Sequence, residues 1–193
     1  MESNLAQRVR ANTTIVCIGN RLRGDDGLGP LVADLLGGTV PAQIIDAGEM
    51  PEKTVKQIVS HNPETVMFVD AVSFGGMPGD MAILERSQLS SDRFLTHRFP
   101  LGLLMDFIKE ETKADLFLLG IQPASTRFGM AVSPQVRQTV EWLVQYLQRI
   151  FSERIDLVDH ENGTFNPDIK TAKDHKQTCG QSPNAAQFLD VES

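Results

Sequence analysis

"TTIVCIGNRLRGDDGLGP" (residues 13–30) is the stretch that decides the fold. Its β-branched and apolar start, residues 13–18, predicts a fully buried strand. A glycine-rich loop follows, and residues 29–37 predict a helix with Pro30 in its first turn. Strand, glycine loop and helix commonly form a phosphate-binding site, but Asp25 and Asp26 would repel a phosphate. The stretch therefore predicts an α/β fold that presents carboxylates at a strand-to-helix loop.

The same alternation continues along the chain. Four more apolar segments predict strands, at residues 42–46, 65–72, 81–85 and 115–121. Amphipathic spacing predicts three more helices, at residues 50–60, 101–111 and 133–151, the last with Ser133 as its N-cap. The short loop before the fourth strand indicates that this strand runs antiparallel to the third. Buried strands that alternate with helices predict a three-layer α/β/α domain with a mostly parallel sheet.

Composition and charge limit the organisation and the class of partner. The predicted domain covers residues 13–151, between an N-terminal extension (1–12) and an acidic, flexible tail (152–193). The net charge of −7 argues against nucleic-acid binding. The start of the chain lacks a signal-peptide core, and no apolar run is long enough for a membrane span, so we expect a cytoplasmic protein without a membrane partner. The two cysteines lie too far apart for a disulfide framework. The last helix can bury its apolar face within one domain, which favours a monomer.

Polar side chains follow the predicted strands, where ligands gather in an open α/β sheet. Asp25 and Asp26 come after the first strand, and Asp46 and Asp70 end the second and third. His97 precedes a helix, and Gln122 follows the fifth strand. Carboxylates with an imidazole suit a divalent metal such as nickel, zinc, manganese or iron.

Structural roles are alternatives for most of these residues. Asp25 or Asp26 could cap the next helix or form an Asx turn. Asp46 could only bond the amides of the next loop, and His97 could be a surface histidine. Asp70 is harder to explain structurally, because it ends the apolar segment "VMFVD", where an acid is costly unless it is paired or coordinating.

Several enzyme classes are excluded by their missing motifs. The chain has neither the G-x-S-x-G nucleophile elbow nor the H-E-x-x-H zinc motif. "GNRLRGDD" has acids where a P-loop has lysine and a hydroxyl, and its glycine spacing does not fit a dinucleotide fingerprint. "DAG" at 46–48 occurs once, so it cannot form an aspartic-protease dyad. Cys17, inside a buried strand, is a poor nucleophile.

Together, five motifs resemble the hydrogenase maturation endopeptidases over residues 13–150. They are "GNRLRGDDGLGP", "DAGEMPE", "FVDAV", "THRFPLG" and "GIQP". The last two are similar to the branch that serves formate-hydrogenlyase and related hydrogenases. The resemblance implies a five-stranded, mostly parallel sheet. It also implies an endopeptidase that removes the C-terminal extension of a nickel–iron hydrogenase large-subunit precursor after nickel insertion.

Site roles follow from the same resemblance. Asp26, Asp70 and His97 match the family's metal ligands and would engage nickel supplied by the precursor, a role that another divalent metal could also fill. Asp25 would position the loop. Asp46 matches a functionally important aspartate, so it is a candidate general base or substrate contact.

Two alternatives remain at this point. The same three ligands would serve a nickel-binding checkpoint protein or chaperone for hydrogenase assembly that does not cut the precursor. A small-molecule hydrolase on a similar scaffold is the other alternative, and it would need a deep closed pocket.

Overall fold

A computed structural model describes residues 2–90 and 101–161 of the chain. The strands are β1 (Thr13–Ile18), β2 (Gln43–Gly48), β3 (Thr65–Ala71), β4 (Met81–Leu84) and β5 (Asp115–Ile121). The helices are α1 (Glu2–Arg8), α2 (Leu28–Leu36), α3 (Val55–His61), α4 (Leu101–Thr112) and α5 (Pro134–Glu161). Short 3-10 turns cover Gly24–Gly27, Pro51–Thr54 and Gln88–Ser90.

The strands form one five-stranded sheet in the order β2-β1-β3-β5-β4. β1, β2, β3 and β5 are parallel, and β4 is antiparallel to β5. The predicted fold class and the direction of β4 are therefore confirmed. β4 pairs with β5 rather than with β3, because the loop before it crosses the end of β5. The backbone NH of Gln122 donates to the Asp80 carbonyl at 2.8 Å, and that of Gly79 donates to the Gln122 carbonyl at 2.9 Å.

Helices cover both faces of the sheet, as the buried strands predict. Alternate residues of β1 point to opposite sides, so Ile15 and Cys17 pack in one apolar cluster and Val16 and Ile18 in the other. The first cluster includes residues of α1, α2 and α5, and the second includes residues of α3 and α4. Among the helices that the structure describes, none has the length and apolar character needed to cross a bilayer.

The N-terminal helix α1 was not predicted from sequence. Its Leu5, and Val9 just after it, are buried in the first cluster. Arg8 donates to the Asp115 carboxylate at 2.6 and 2.7 Å, and Tyr146 donates its hydroxyl to the Glu2 carbonyl at 2.6 Å. These contacts attach α1 to the body formed by the sheet and α5.

Helix α5 is longer than predicted. It continues to Glu161, ten residues past the predicted end at residue 151. The apolar spacing lapses there, but neither proline nor glycine interrupts the chain before Gly163. The first part of the predicted tail is therefore helical, and residues 162–193 lie outside the described part of the chain.

Candidate functional site

Glycines fold the loop between β1 and α2 back over the end of β1. Gly19 has φ +140°, and a Cβ there would lie 1.8 Å from the Asp26 carbonyl oxygen. The Asn20 NH donates to that oxygen at 3.0 Å and to Asp26 Oδ2 at 3.2 Å. Gly29 lets α2 approach β1, because a Cβ there would lie 2.1 Å from the Ile18 carbonyl oxygen. The loop can therefore adopt the tight path that presents Asp26 at the edge of the sheet.

Asp25 holds this loop in place. Its carboxylate is buried and accepts hydrogen bonds from the backbone NH groups of Ala124 (2.7 Å), Ser125 (3.1 Å) and Ser133 (2.6 Å), and from the Ser133 hydroxyl at 3.0 Å. These bonds join the loop after β1 to the loop between β5 and α5. The N-cap of α2 is Gly27, which has no side chain to cap the helix. The predicted positioning role of Asp25 is confirmed.

Asp70 carries a buried carboxyl group at this edge of the sheet. It lies near the end of β3, is 8% exposed, and accepts a hydrogen bond from the Ala71 NH at 2.7 Å. Burial, and secondly the charge of Asp26, raise the pKa of Asp70 to about 7, while the Ala71 bond acts to lower it. The 3-10 turn that contains Asp26 lies against β3. Asp26 and Asp70 therefore form an acidic pair, and a cation between them would relieve their repulsion.

The third predicted metal ligand, His97, lies outside the described residues. Within residues 2–90 and 101–161, no group of three histidine, cysteine or acidic side chains is placed to hold a metal ion. The described part of the chain thus contributes a pair of carboxylates, and the assignment of His97 stays a prediction.

Asp46 lies on the other side of β1, near the end of β2. Its carboxylate is exposed, and it accepts hydrogen bonds from the Arg21 guanidinium at 2.8 Å and from the Gly48 NH at 3.2 Å. Arg21 also donates to Asp34 of α2 at 2.9 Å. Sequence reasoning anticipated the amide contact but missed Arg21, although this arginine is part of the glycine-loop motif. A role for Asp46 in the reaction stays a prediction.

Strand register places Asp46 and Asp70 on either side of the end of β1. Cys17 is level with Asp46 on β2 and with Val69, the neighbour of Asp70, on β3. Adjacent strands are about 4.8 Å apart, so the two aspartate backbones are separated by about 10 Å. β1 occupies this interval, and Asp70, one residue beyond Val69, faces the side of the sheet opposite to Asp46.

Two further residues named from sequence have structural environments. Gln122 Oε1 accepts hydrogen bonds from three consecutive backbone NH groups, those of Phe74 (2.9 Å), Gly75 (3.1 Å) and Gly76 (3.3 Å), and so orders the loop after β3. Burial, followed by the charges of Asp46 and Asp34, raises the pKa of the Cys17 thiol to about 12. The thiol therefore remains protonated, which confirms that Cys17 is a poor nucleophile.

Comparison with known proteins identifies the family. The family model for hydrogenase maturation proteases matches residues 37–150. The hydrogenase 3 maturation protease of Escherichia coli (strain K12) is 31% identical over 137 residues, which cover 69% of this chain and 87% of that protein. The chain belongs to the hydrogenase maturation protease family. It is therefore a peptidase, and the non-cleaving and small-molecule alternatives lose their support.

Solved structures of family members share the fold. The crystal structure of the [NiFe] hydrogenase maturation protease HycI from Thermococcus kodakarensis KOD1 matches with a TM-score of 0.72 and 35% identity, covering 77% of this chain and 99% of that one. The solution structure of the endopeptidase HycI from Escherichia coli matches with a TM-score of 0.66 and 31% identity, covering 72% of this chain and 90% of that one. These matches confirm the predicted family and fold.

Proposed function

We propose that this peptidase removes the C-terminal extension of a nickel–iron hydrogenase large-subunit precursor after nickel insertion, and that it recognises the bound nickel. The observation that carries the proposal is the acidic pair, in which the buried carboxyl group of Asp70 lies beside Asp26 at the edge of the sheet. A cation presented to this pair would offset the effects of burial and of the Asp26 charge on the Asp70 carboxylate.

The donor types suit nickel that arrives with the substrate. Asp26 and Asp70 would supply carboxylate oxygens, and His97 would supply an imidazole nitrogen, a combination that binds divalent first-row metals. Another divalent metal could therefore replace nickel in the precursor. We further propose that the protein acts as a monomer in the cytoplasm.

Asp46 is the proposed base or substrate contact. Its carboxylate is exposed near the end of β2, so a peptide and a water molecule can reach it. The hydrogen bond from Arg21 at 2.8 Å fixes the direction of one of its oxygens. A positioned carboxylate of this kind can accept a proton from the attacking water or bind a substrate amide.

The test is cleavage of a nickel-loaded large-subunit precursor, with the product mass read by mass spectrometry. We expect the wild-type protein to shorten this precursor and to leave a nickel-free precursor intact. Asp70→Asn and His97→Ala should each abolish cleavage, whereas His61→Ala, which changes an exposed histidine at the end of α3, should not. Undiminished cleavage by both site variants would overturn the metal-recognition proposal, and a precursor that stays full-length with wild-type protein would overturn the proposed function.

A further inference from the structure

Three large apolar side chains are exposed beside the candidate site. Leu22 lies in the loop after β1 and is 60% exposed, while Phe128 and Met130 lie in the loop after β5 and are 74% and 55% exposed. We refer to Leu22, Phe128 and Met130 as the apolar ledge. Exposed apolar side chains that adjoin one another commonly mark an interaction surface.

Backbone hydrogen bonds make the apolar ledge one continuous structure. The Gly129 NH donates to the Leu22 carbonyl at 2.7 Å, and the Gly24 NH donates to the Met130 carbonyl at 3.0 Å. Gly24 precedes Asp25, whose buried carboxylate holds the same two loops together. The apolar ledge is therefore part of the framework that positions Asp26, and a segment bound on it would lie next to the acidic pair.

Two arginines lie beside the apolar ledge, and Asp26 of the acidic pair lies on the same loop as one of them. Arg23 and Arg127 lie on the same two loops, in a chain with a net charge of −7. Within the part of the chain that the structure describes, neither guanidinium forms an ion pair or a hydrogen bond. A partner segment that carries apolar side chains together with carboxylates would complement both features.

We propose that the apolar ledge, with Arg23 and Arg127, is the docking surface for the protein substrate, and that it binds an extended, apolar and acidic segment of that substrate. The proposal rests on the proposed function and identifies where the substrate is held outside the reacting groups. A peptidase specific for one protein needs such contacts, because a scissile peptide bond is chemically the same in every protein. Docking on the apolar ledge would deliver the neighbouring substrate residues to Asp26.

The experiment compares Phe128→Ser/Met130→Ser with Phe107→Ser, a matched change of an aromatic residue that is 51% exposed on α4. Steady-state cleavage of nickel-loaded precursor gives kcat and KM, and biolayer interferometry gives the Kd for the intact precursor. We expect the double variant to raise KM and Kd about 30-fold with kcat preserved, as for loss of buried anchor residues. Arg127→Glu should raise Kd about tenfold and weaken the salt dependence of binding. Phe107→Ser should match wild type.

Three results would overturn the docking surface. One is a double variant whose KM and Kd equal those of wild type, with its fold confirmed by circular dichroism. Another is an equal loss in Phe107→Ser. The third is a wild-type dimer that becomes monomeric in the double variant while Kd is unchanged, because the apolar ledge would then be covered by a second copy. If wild-type protein does not shorten the precursor, the proposed function fails, and the Kd comparison alone decides the docking surface.

Discussion

The buried carboxyl group of Asp70 offers a test in which stability and activity should change in opposite directions. Its pKa is raised from 3.8 to about 7 in the folded protein, first by burial and then by the charge of Asp26. Between these two values the folded state binds more protons than the unfolded state. Stability is therefore lost progressively as pH rises from about 4 to about 7, and the full penalty applies at higher pH.

The size of this penalty follows from the difference between the two pKa values. Each pH unit is worth about 1.4 kcal/mol, so a rise from 3.8 to about 7 corresponds to about 4 kcal/mol. Asp70→Asn has almost the same shape, can still accept the hydrogen bond from the Ala71 NH, and carries no charge. We expect its free energy of unfolding near pH 8 to exceed that of wild type by about 2 to 4 kcal/mol.

Urea unfolding followed by circular dichroism, at a series of pH values between about 4 and 8, measures this difference. The gain in Asp70→Asn should be largest at the top of the range and vanish near pH 4. Glu111→Gln is the matched control, because it removes one carboxylate from an exposed position on α4 and should change stability by less than about 0.5 kcal/mol at every pH. The reasoning is refuted if Asp70→Asn is no more stable than wild type near pH 8, or if its gain does not depend on pH.

Three other substitutions test the framework around the site, each by urea unfolding. Asp25→Ala should cost about 3 kcal/mol or more, because it leaves three backbone NH groups and the Ser133 hydroxyl without their acceptor; a loss below about 1 kcal/mol would contradict this role. Gly29→Ala should lower the free energy of unfolding by about 3 kcal/mol, because its Cβ would lie 2.1 Å from the Ile18 carbonyl oxygen. A variant as stable as wild type would show that α2 can shift to make room for the Cβ. Asp46→Asn should change stability by less than about 1 kcal/mol, because its ion pair with Arg21 is exposed. If this variant is stable but does not cleave the precursor, the loss reflects the reaction and not unfolding. Full cleavage would exclude Asp46 as the base.

The fold was largely predictable because its main signals are local. β1 and β3 are mostly apolar and are buried along their whole length, so they are recognisable without knowledge of their neighbours. The strand that pairs with β4 was not predictable. The short loop indicates that β4 runs antiparallel to β3, but it does not show whether another strand lies between the two. β5 comes later in the chain and occupies that place. Helix α1 was missed because its apolar pattern is too short. Leu5 and Val9 are four residues apart, which is less than two helical turns.

Parts of the site were predictable for a related reason. Aspartates at the ends of parallel strands must lie at one edge of the sheet, so the proximity of Asp26 and Asp70 followed from topology. The pairing of Arg21 with both Asp34 and Asp46 did not, because a long arginine side chain can reach several acids at that edge. Gln122 was placed at the correct edge, but its three bonds to the loop after β3 depend on a loop conformation that no sequence motif specifies.

Adjacent aspartates in "GDDG" have different tasks because a 3-10 turn directs consecutive side chains away from each other. Asp25 points inward, and its two carboxylate oxygens accept four hydrogen bonds from the loop between β5 and α5. That attachment restrains the backbone of Asp26, so this carboxylate would already be held near Asp70 when the proposed nickel-loaded substrate binds. A site that recognises a metal already bound to another protein benefits from such preorganisation, because the metal brings its own ligands and only correctly placed donors can add to them. The same attachment fixes the apolar ledge, so docking and metal recognition would depend on one buried carboxylate.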